Sequence, residues 1–489
     1  MPVALVWFRN DLRLDDHPAL RAALDGGFDV VPVYVHDPDG EGLSRPGAAS
    51  DAWRARSLAA LDADLRTRGA ALHAFTGHAA PTLSAVAAAC GATAVFWNRR
   101  YEPDIEARDA TVKRELRGQG LQAESFNGSL LFEPWTLKTG KGGPYRVFTP
   151  FHRAALARWS PEAPWTAPDA LPVPDGEPHG LDLAHLRLAP KRGWDAGFWS
   201  TWTPGEAGAR EALEAHLEGA LHDYANGRDR PDRAGTSRLS PHLHFGEIAV
   251  WRVVHAVDAQ RGRIPDAQID AYLRQLVWRE FAAHLLHHFP HTAQANLDAR
   301  FDRFDWADPG RAALDRWCHG RTGVPIVDAG MRELWATGWM HNRVRMIVAS
   351  YLCKHLRVHW RIGADWFAQT LVDADFANNV MGWQWVAGTG ADASPYFRIF
   401  NPVTQAEKFD PRGDYVARWL PELAALPMPL RHAPWRDPAR LAAVAPGYPP
   451  QPLVDLAQGR DDALLAYRRM RADASTGGGD GHGDDGNGS

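Results

Sequence analysis

Residues 4–36, ALVWFRNDLRLDDHPALRAALDGGFDVVPVYVH, decide the architecture of the N-terminal part of the chain. The apolar run ALVWF reads as a buried strand and VVPVYVH as another. Between them, HPALRAALDGG has apolar residues spaced near 3.6 and ends in glycine, as helices do. Working outward, the alternation continues with helical DAWRARSLAALDADLRTRG, PTLSAVAAACG and DIEARDATVKRELRGQG, and with the strands ALHAFTG, AVFWN and LQAESFN. Alternating β and α over the first 130 residues predicts an α/β doubly wound parallel sheet.

Residues 159–180, WSPEAPWTAPDALPVPDGEPHG, are too rich in proline for a helix or a central strand. The expected organisation is an α/β domain over 1–130, an interdomain linker lying on the surface over 131–204, an all-α domain over 205–471, and a disordered Gly/Asp tail over 472–489. EAGAREALEAHLEGALHDYANG and IDAYLRQLVWREFAAHLLHHF carry the helical pattern of the second half.

At 489 residues, two domains are the expectation. The N-terminal apolar run is too short for a signal peptide and no stretch approaches a membrane span, which predicts a cytoplasmic protein without membrane attachment. Cys90, Cys318 and Cys353 are too dispersed for a disulfide framework, a zinc site or an iron–sulfur cluster. Setting aside the four acids of the tail takes the net charge from −5 to −1, so any binding of nucleic-acid phosphate needs a local basic patch. The 21 tryptophans are an unusual number, suited to stacking surfaces or to a helical core.

Several stretches carry chemistry. In NNVMGWQWVAGTGADASPYFRIFNP, residues 378–402, two tryptophans flank a glutamine behind paired asparagines, a grouping suited to a flat, hydrogen-bonding ligand. The GTGADA within it imitates a dinucleotide fingerprint but lacks the preceding strand that the fingerprint needs. GTSRLSPHLHFG at 235–246 sets three hydroxyls and an arginine before Pro241, either a nest of phosphate donors or a capped helix start. Glu280, His284 and His288 recur four apart, a metal-like spacing that reads better as a solvated polar face; no metal is expected. WMHNRVRM and DADFANN place Arg345 and Asp373 where they could form a buried ion pair beside an electron-rich ring.

In series, LVWFRNDLRLDDHPAL, TSRLSPHLHFGE, LVWREF, GWMHNRVRM, DADFANNVMGWQW and ADASPYFRIFNPVTQAEKFD resemble the photolyase/cryptochrome family, in particular the bacterial cyclobutane pyrimidine dimer photolyases. The likeness runs from about residue 3 to 470. It implies one non-covalent FAD, active when reduced, in the helical domain. Tyr224 and Thr236, Ser237, Arg238, Leu239 and Ser240 would take the flavin phosphates. Arg345, Asp373, Ala374 and Asp375 would lie by the ring, and Asn379 would face flavin N5. Trp383, the innermost, then Trp360 and then Trp306 near the surface would relay electrons to the flavin. Trp278 and Trp385 would stack on a flipped lesion, with Arg228, Gln275, Arg279, Asn342, Arg343, Met346 and Arg398 binding base or backbone of UV-damaged DNA. The implied enzyme is a monomeric lyase that needs no protein partner.

Two departures from the family pattern stand out. The residue before LVWREF is usually glutamate and here is Gln275, as in some (6-4) photoproduct photolyases, although those put histidines where this chain has Asn342 and Met346. The Asn-Glu pair of folate-binding members appears as Asp104-Ile105. A reduced folate, methenyltetrahydrofolate, is still the favoured second, antenna chromophore. A cryptochrome-type light receptor is the main alternative function, and Trp278, Met346 and Trp385 argue against it.

Overall fold

The computed structural model describes residues 1–160, 163–176, 178–393 and 397–476; of the expected tail, 477–489 lie outside them. The chain divides into two compact units, one formed by residues 1–293, 333–340 and 367–379, the other by 294–332, 341–366 and 380–489.

The first unit is built on strands β1 (Val3–Phe8), β2 (Asp29–His36), β3 (His73–Thr76), β4 (Ala92–Asn98) and β5 (Gln122–Phe126). All pair parallel in the order β3-β2-β1-β4-β5. Helices α1 (Pro18–Asp25), α2 (Ala48–Arg66), α3 (Ala79–Cys90) and α4 (Pro103–Gly118) make the crossovers. Successive residues of β1 point to opposite faces. Ala4, Val6 and Phe8 enter one core with Trp53 of α2, while Val3, Leu5 and Trp7 enter another with Leu83 and Val86 of α3. Both faces are covered, which is why the strands read as unbroken apolar runs.

The polar stretch after β1 is buried because it satisfies backbone. The Arg13 guanidinium donates to the carbonyls of Gly246 at 2.9 Å and Gly128 and Asp16 at 2.8 Å. His17 Nδ1 accepts from Leu20 N at the start of α1, leaving Nε2–H to donate to Asp11 at 2.9 Å. Asn98 at the end of β4 closes the group, donating to Asp11 and accepting from Ala19 N.

Residues 131–204 differ from the expected surface linker. They form helix α5 (Phe148–Ala157), and Leu171, Leu186, Leu188, Phe198 and Trp202 are buried in the core that holds β1. Proline does exclude regular structure over the described residues of 159–180, but lack of regular structure does not require exposure.

The second unit is helical. Its elements include helices over Gly310–Cys318, Asn342–Ser350, Pro402–Phe409 and Leu456–Thr476, the Asn342 helix continuing into a π turn over Tyr351–His355. Asp328, fully buried, accepts from Thr322 N and Oγ1, Gly323 N and the Tyr448 hydroxyl, joining distant parts of the unit. Among the described residues no helix is long and apolar enough to cross a membrane, and no cluster of three or more metal-ligating side chains occurs.

Gly246 has φ +61°, and a Cβ there would overlap the carbonyl of Asn10. A left-handed alanine costs about 1–2 kcal/mol before any clash, and a backbone oxygen cannot turn aside as a side chain can. Gly246→Ala should therefore lose about 2 kcal/mol or more of stability, read as a lower denaturation midpoint. An unchanged midpoint would contradict the close approach.

Candidate functional site

In the first unit the helix Asp266–His288 carries Tyr272, Gln275, Trp278, Arg279, Glu280 and His284. The polar face expected to be solvated is buried, Glu280 and His284 being 3% and 1% exposed. Glu280 Oε2 accepts from the backbone N–H groups of Leu131 at 2.7 Å and Phe132 at 3.2 Å. His284 Nε2 accepts from Tyr145 N at 3.1 Å, so Nδ1 carries the proton it donates to Pro134 O at 3.0 Å. His288 bonds the same carbonyl, and Arg279 donates to Ser129 O at 2.7 Å. The i, i+4 spacing thus staples residues 129–145 to the helix.

That staple leads directly into α5, whose first residue stacks on Trp278 with ring centroids 3.5 Å apart and planes 5° apart. The Arg274 guanidinium lies 4.8 Å from the same Phe148 ring. One face of Trp278 is therefore covered, and the half-buried indole can offer only the other to a ligand. One turn earlier, Gln275 Oε1 accepts from Arg228 Nη2 at 2.6 Å. Phe148 escaped the sequence reading, although Phe148, Phe151 and Ala155 have the spacing of a buried helical stripe.

Tyr224 is buried edge-on against Tyr272. Beyond it, Arg238 has φ +54° and Leu239 follows in the right-handed region at φ −80°, ψ −4°. A left-handed residue beside a right-handed one turns successive N–H groups into one concavity, the backbone form that holds an anion. The Arg238 side chain is 4.9 Å from the Trp339 ring and 5.4 Å from Trp202. Ser240, which opens the short helix Ser240–His244, accepts from Trp339 Nε1. Within the turn Leu239 N–H donates to Ser237 Oγ at 3.3 Å, and the concave backbone with its hydroxyls has the donor chemistry of a phosphate site.

Asp373 is buried and Ala374 half-buried, just ahead of the helix Phe376–Ala387. Asp375 caps that helix, accepting from Asn378 N at 2.9 Å and Asn378 Nδ2 at 2.7 Å. Burial opposes its ionisation, but His244, Arg279 and the Asn378 bonds hold its carboxyl below the ordinary range. Asn379 donates its N–H to Asp375 O in the first turn. Asp375, Asn378, His244 and Arg279 line a cavity together with Asn10 and the run Arg99–Glu102. By contrast, Asp104 accepts from Leu43 N at 2.7 Å and Ile105 is fully buried, so the local fold occupies both.

In the second unit Trp383 is buried edge-on to Trp317, and a Cβ on Gly363 would overlap its ring. Trp360, also buried, donates Nε1–H to Asn296 at 2.8 Å. His359 lies 5.5 Å from the Trp360 ring and 5.0 Å from that of half-buried Trp306. Gln384 accepts from Leu297 N and donates to Ala295 O, which explains the glutamine between the tryptophans: it anchors neighbouring backbone. Trp385 is half-buried with the Arg398 guanidinium 5.6 Å from its ring, and both line a small cavity with Ser350, Asp392 and Phe400. Asn342 is exposed at the start of its helix and turned to Met346, Arg343 lies over Phe409, and Arg345 is half-buried on the same helix.

Residues 4–173 match the sequence family described as DNA photolyase, and residues 272–469 match the FAD binding domain of DNA photolyase. The chain is 47% identical to a deoxyribodipyrimidine photo-lyase of Agrobacterium fabrum over 96% of its length and 98% of the relative's. It is 36% identical to cryptochrome-2 of Arabidopsis thaliana, over 96% of this chain and 79% of that one. Its structure matches a bacterial class III photolyase from Agrobacterium tumefaciens with a TM-score of 0.92 and 46% identity, covering 96% and 98% of the two chains. The architecture is that of a flavoprotein with an α/β N-terminal domain and a helical FAD-binding domain. The chain belongs to the DNA photolyase family.

Burial raises the Glu280 carboxyl from about 4.5 to about 7, against the pull of Arg279 and the two N–H groups. Between those values the folded protein holds a proton that the unfolded chain has lost, so this group's contribution to stability declines as pH rises from about 4.5 to about 7. Glu280→Gln keeps the acceptor oxygen without titrating. Chemical denaturation at pH 5 and pH 8 should show native protein losing stability relative to the variant as pH rises. A constant difference between the two would contradict the buried, proton-holding carboxyl.

Proposed function

We propose that the protein is a light-dependent DNA repair enzyme, a deoxyribodipyrimidine photo-lyase acting on cyclobutane pyrimidine dimers. The observation that carries this reading is the wall on the Asp266–His288 helix, where Trp278 is held on one face by Phe148 and Gln275 is held by Arg228. A dimer leaves the duplex only by flipping, and an aromatic face beside a hydrogen-bonding side chain replaces the stacking and pairing it loses. A light receptor has no use for such a wall, and a (6-4) site would want histidines where Asn342 and Met346 stand.

When bound, reduced FAD supplies the chemistry: excited by blue or near-UV light, it provides the electron that splits the dimer. The nest at Thr236–Ser240 supports binding of its phosphates, with Tyr224 packed against Tyr272 of the Asp266–His288 helix. Arg345, Asp373, Ala374, Asp375 and Asn379 are proposed around its ring. Trp383, Trp360 and Trp306 are proposed to refill it with electrons, the ring spacing through His359 supporting the outer step. Trp385, Arg279, Asn342, Arg343, Met346 and Arg398 complete the proposed lesion and DNA contacts, the arginines giving affinity that falls with salt.

A second chromophore, methenyltetrahydrofolate, is proposed on the N-terminal α/β domain. The occupied Asp104 and Ile105 argue against the position used by the Asn-Glu pair. The protein is proposed to work on DNA as a monomer in the cytoplasm.

Phenylalanine is far harder to oxidise than tryptophan. Trp306→Phe should therefore strongly slow photoreduction of the oxidised flavoprotein, while chemically pre-reduced variant should split dimers under light much as native protein does. Fast photoreduction in the variant would remove Trp306 from the relay. Photoreduction without dimer splitting in the native protein would favour the receptor.

A further inference from the structure

His359 stands between Trp360 and Trp306. Its ring centroid lies 5.5 Å from that of Trp360, with planes 30° apart, and 5.0 Å from that of Trp306, with planes 67° apart. His359 also caps the helix Trp360–Thr370, its Nδ1 accepting from Arg361 N at 3.3 Å. The Nδ1 lone pair is therefore engaged, and the neutral ring carries its proton on Nε2. A proton added at Nδ1 would break the cap and set a cation at the positive end of the helix. Burial and the Arg361 guanidinium oppose protonation as well, against the pull of Asp302, and hold the imidazole below its ordinary range. Asp302 is bonded to Asn296 Nδ2 at 2.6 Å, and the neighbouring Arg357 and Asp305 pair with each other at 2.9 Å.

Neither indole gives its N–H to His359. Trp360 donates Nε1–H to Asn296 at 2.8 Å, and Trp306 donates to the carbonyl of Phe301 at 3.2 Å. His359 thus takes no proton from either ring, and what it can change there is the local charge. In photoreduction Trp383 passes one electron to the flavin, Trp360 refills Trp383, and Trp306 refills Trp360. An added thiol then refills Trp306, releasing a proton to water, and two such thiols join as a disulfide. The positive vacancy must therefore cross both rings that His359 touches. A unit charge about 5 Å away, at an effective dielectric constant of about 20, shifts an equilibrium by about a hundredfold. Resting on the reading of Trp383, Trp360 and Trp306 as the relay, we propose that His359 is a positioning residue for electron supply. Neutral, it leaves the two outer tryptophans open to the vacancy; protonated, it closes them, so the rate follows the neutral fraction.

The test follows photoreduction of the FAD-loaded protein with a thiol between pH 8 and pH 5. In parallel, NMR of histidine-labelled protein in the dark follows the titration of His359 itself, with His359→Asn identifying its resonance. His359→Asn keeps a cap acceptor without a titrating ring, and His359→Phe keeps a ring without the proton. The ratio of the rate at pH 8 to that at pH 5 should be about threefold or more larger in native protein than in either variant, one imidazole titrating below about 6.5. Titrations elsewhere are common to the three proteins and cancel in that comparison. The native fall should share its midpoint with the His359 resonance. Equal ratios in native protein and variants, or a fall that does not track that resonance, would overturn the proposal and leave the relay standing. Trp306→Phe that photoreduces like native protein would remove the relay and the proposal with it.

Discussion

A carboxylate in the middle of a buried helix face has to be bonded, and Glu280 is bonded to the backbone of Leu131 and Phe132. The wall proposed for the substrate, Trp278 backed by Phe148, depends on this. Glu280, His284, His288 and Arg279 tie residues 129–145 along one helix, and the chain leaving that staple enters α5 with Phe148 against Trp278. Without it, Trp278 would keep its place in the helix but lose the ring that covers one face. Buried polar groups stiffen a structure only when every member is satisfied; here three N–H groups and three carbonyl bonds meet that condition.

The helix Phe376–Ala387 does comparable work in the C-terminal part of the chain. Residues two apart lie on nearly opposite sides of a helix, so Trp383 is buried against Trp317 while Trp385 stays half-buried beside Arg398. Gln384, between them, holds the backbone at Ala295 and Leu297, close in sequence to Asn296, which fixes the indole of Trp360. One glutamine thus connects the placement of two of the tryptophans proposed as the relay. Gly363 does the rest by leaving room for the ring of Trp383.

The parallel sheet was legible in the sequence because a strand buried on both faces and a crossover helix each have a local signature; all five strands and four helices of the N-terminal alternation appear. The run GTSRLS was legible as a local feature before Pro241, and in the structure Arg238 takes the left-handed conformation within it. GTGADA follows a helix instead of opening one, with Gly388 N bonded back to Gln384 O, in line with its exclusion as a dinucleotide fingerprint. What stayed hidden is what covers each face. The spacing of Glu280 and His284 shows that they share a side of a helix, but their partners lie about 140–150 residues upstream. Phe148 and the acceptor role of Gln275 were hidden for the same reason.

This chain is proposed to use light to restore pyrimidines in DNA. Re-forming the 5,6 double bonds of a split cyclobutane dimer restores absorbance near 260 nm, so the direct measurement is that absorbance in dimer-bearing DNA with the reduced protein. The absorbance should rise under blue light, not in the dark, and not with DNA carrying the (6-4) photoproduct. No rise under light, or recovery confined to the (6-4) lesion, would contradict it.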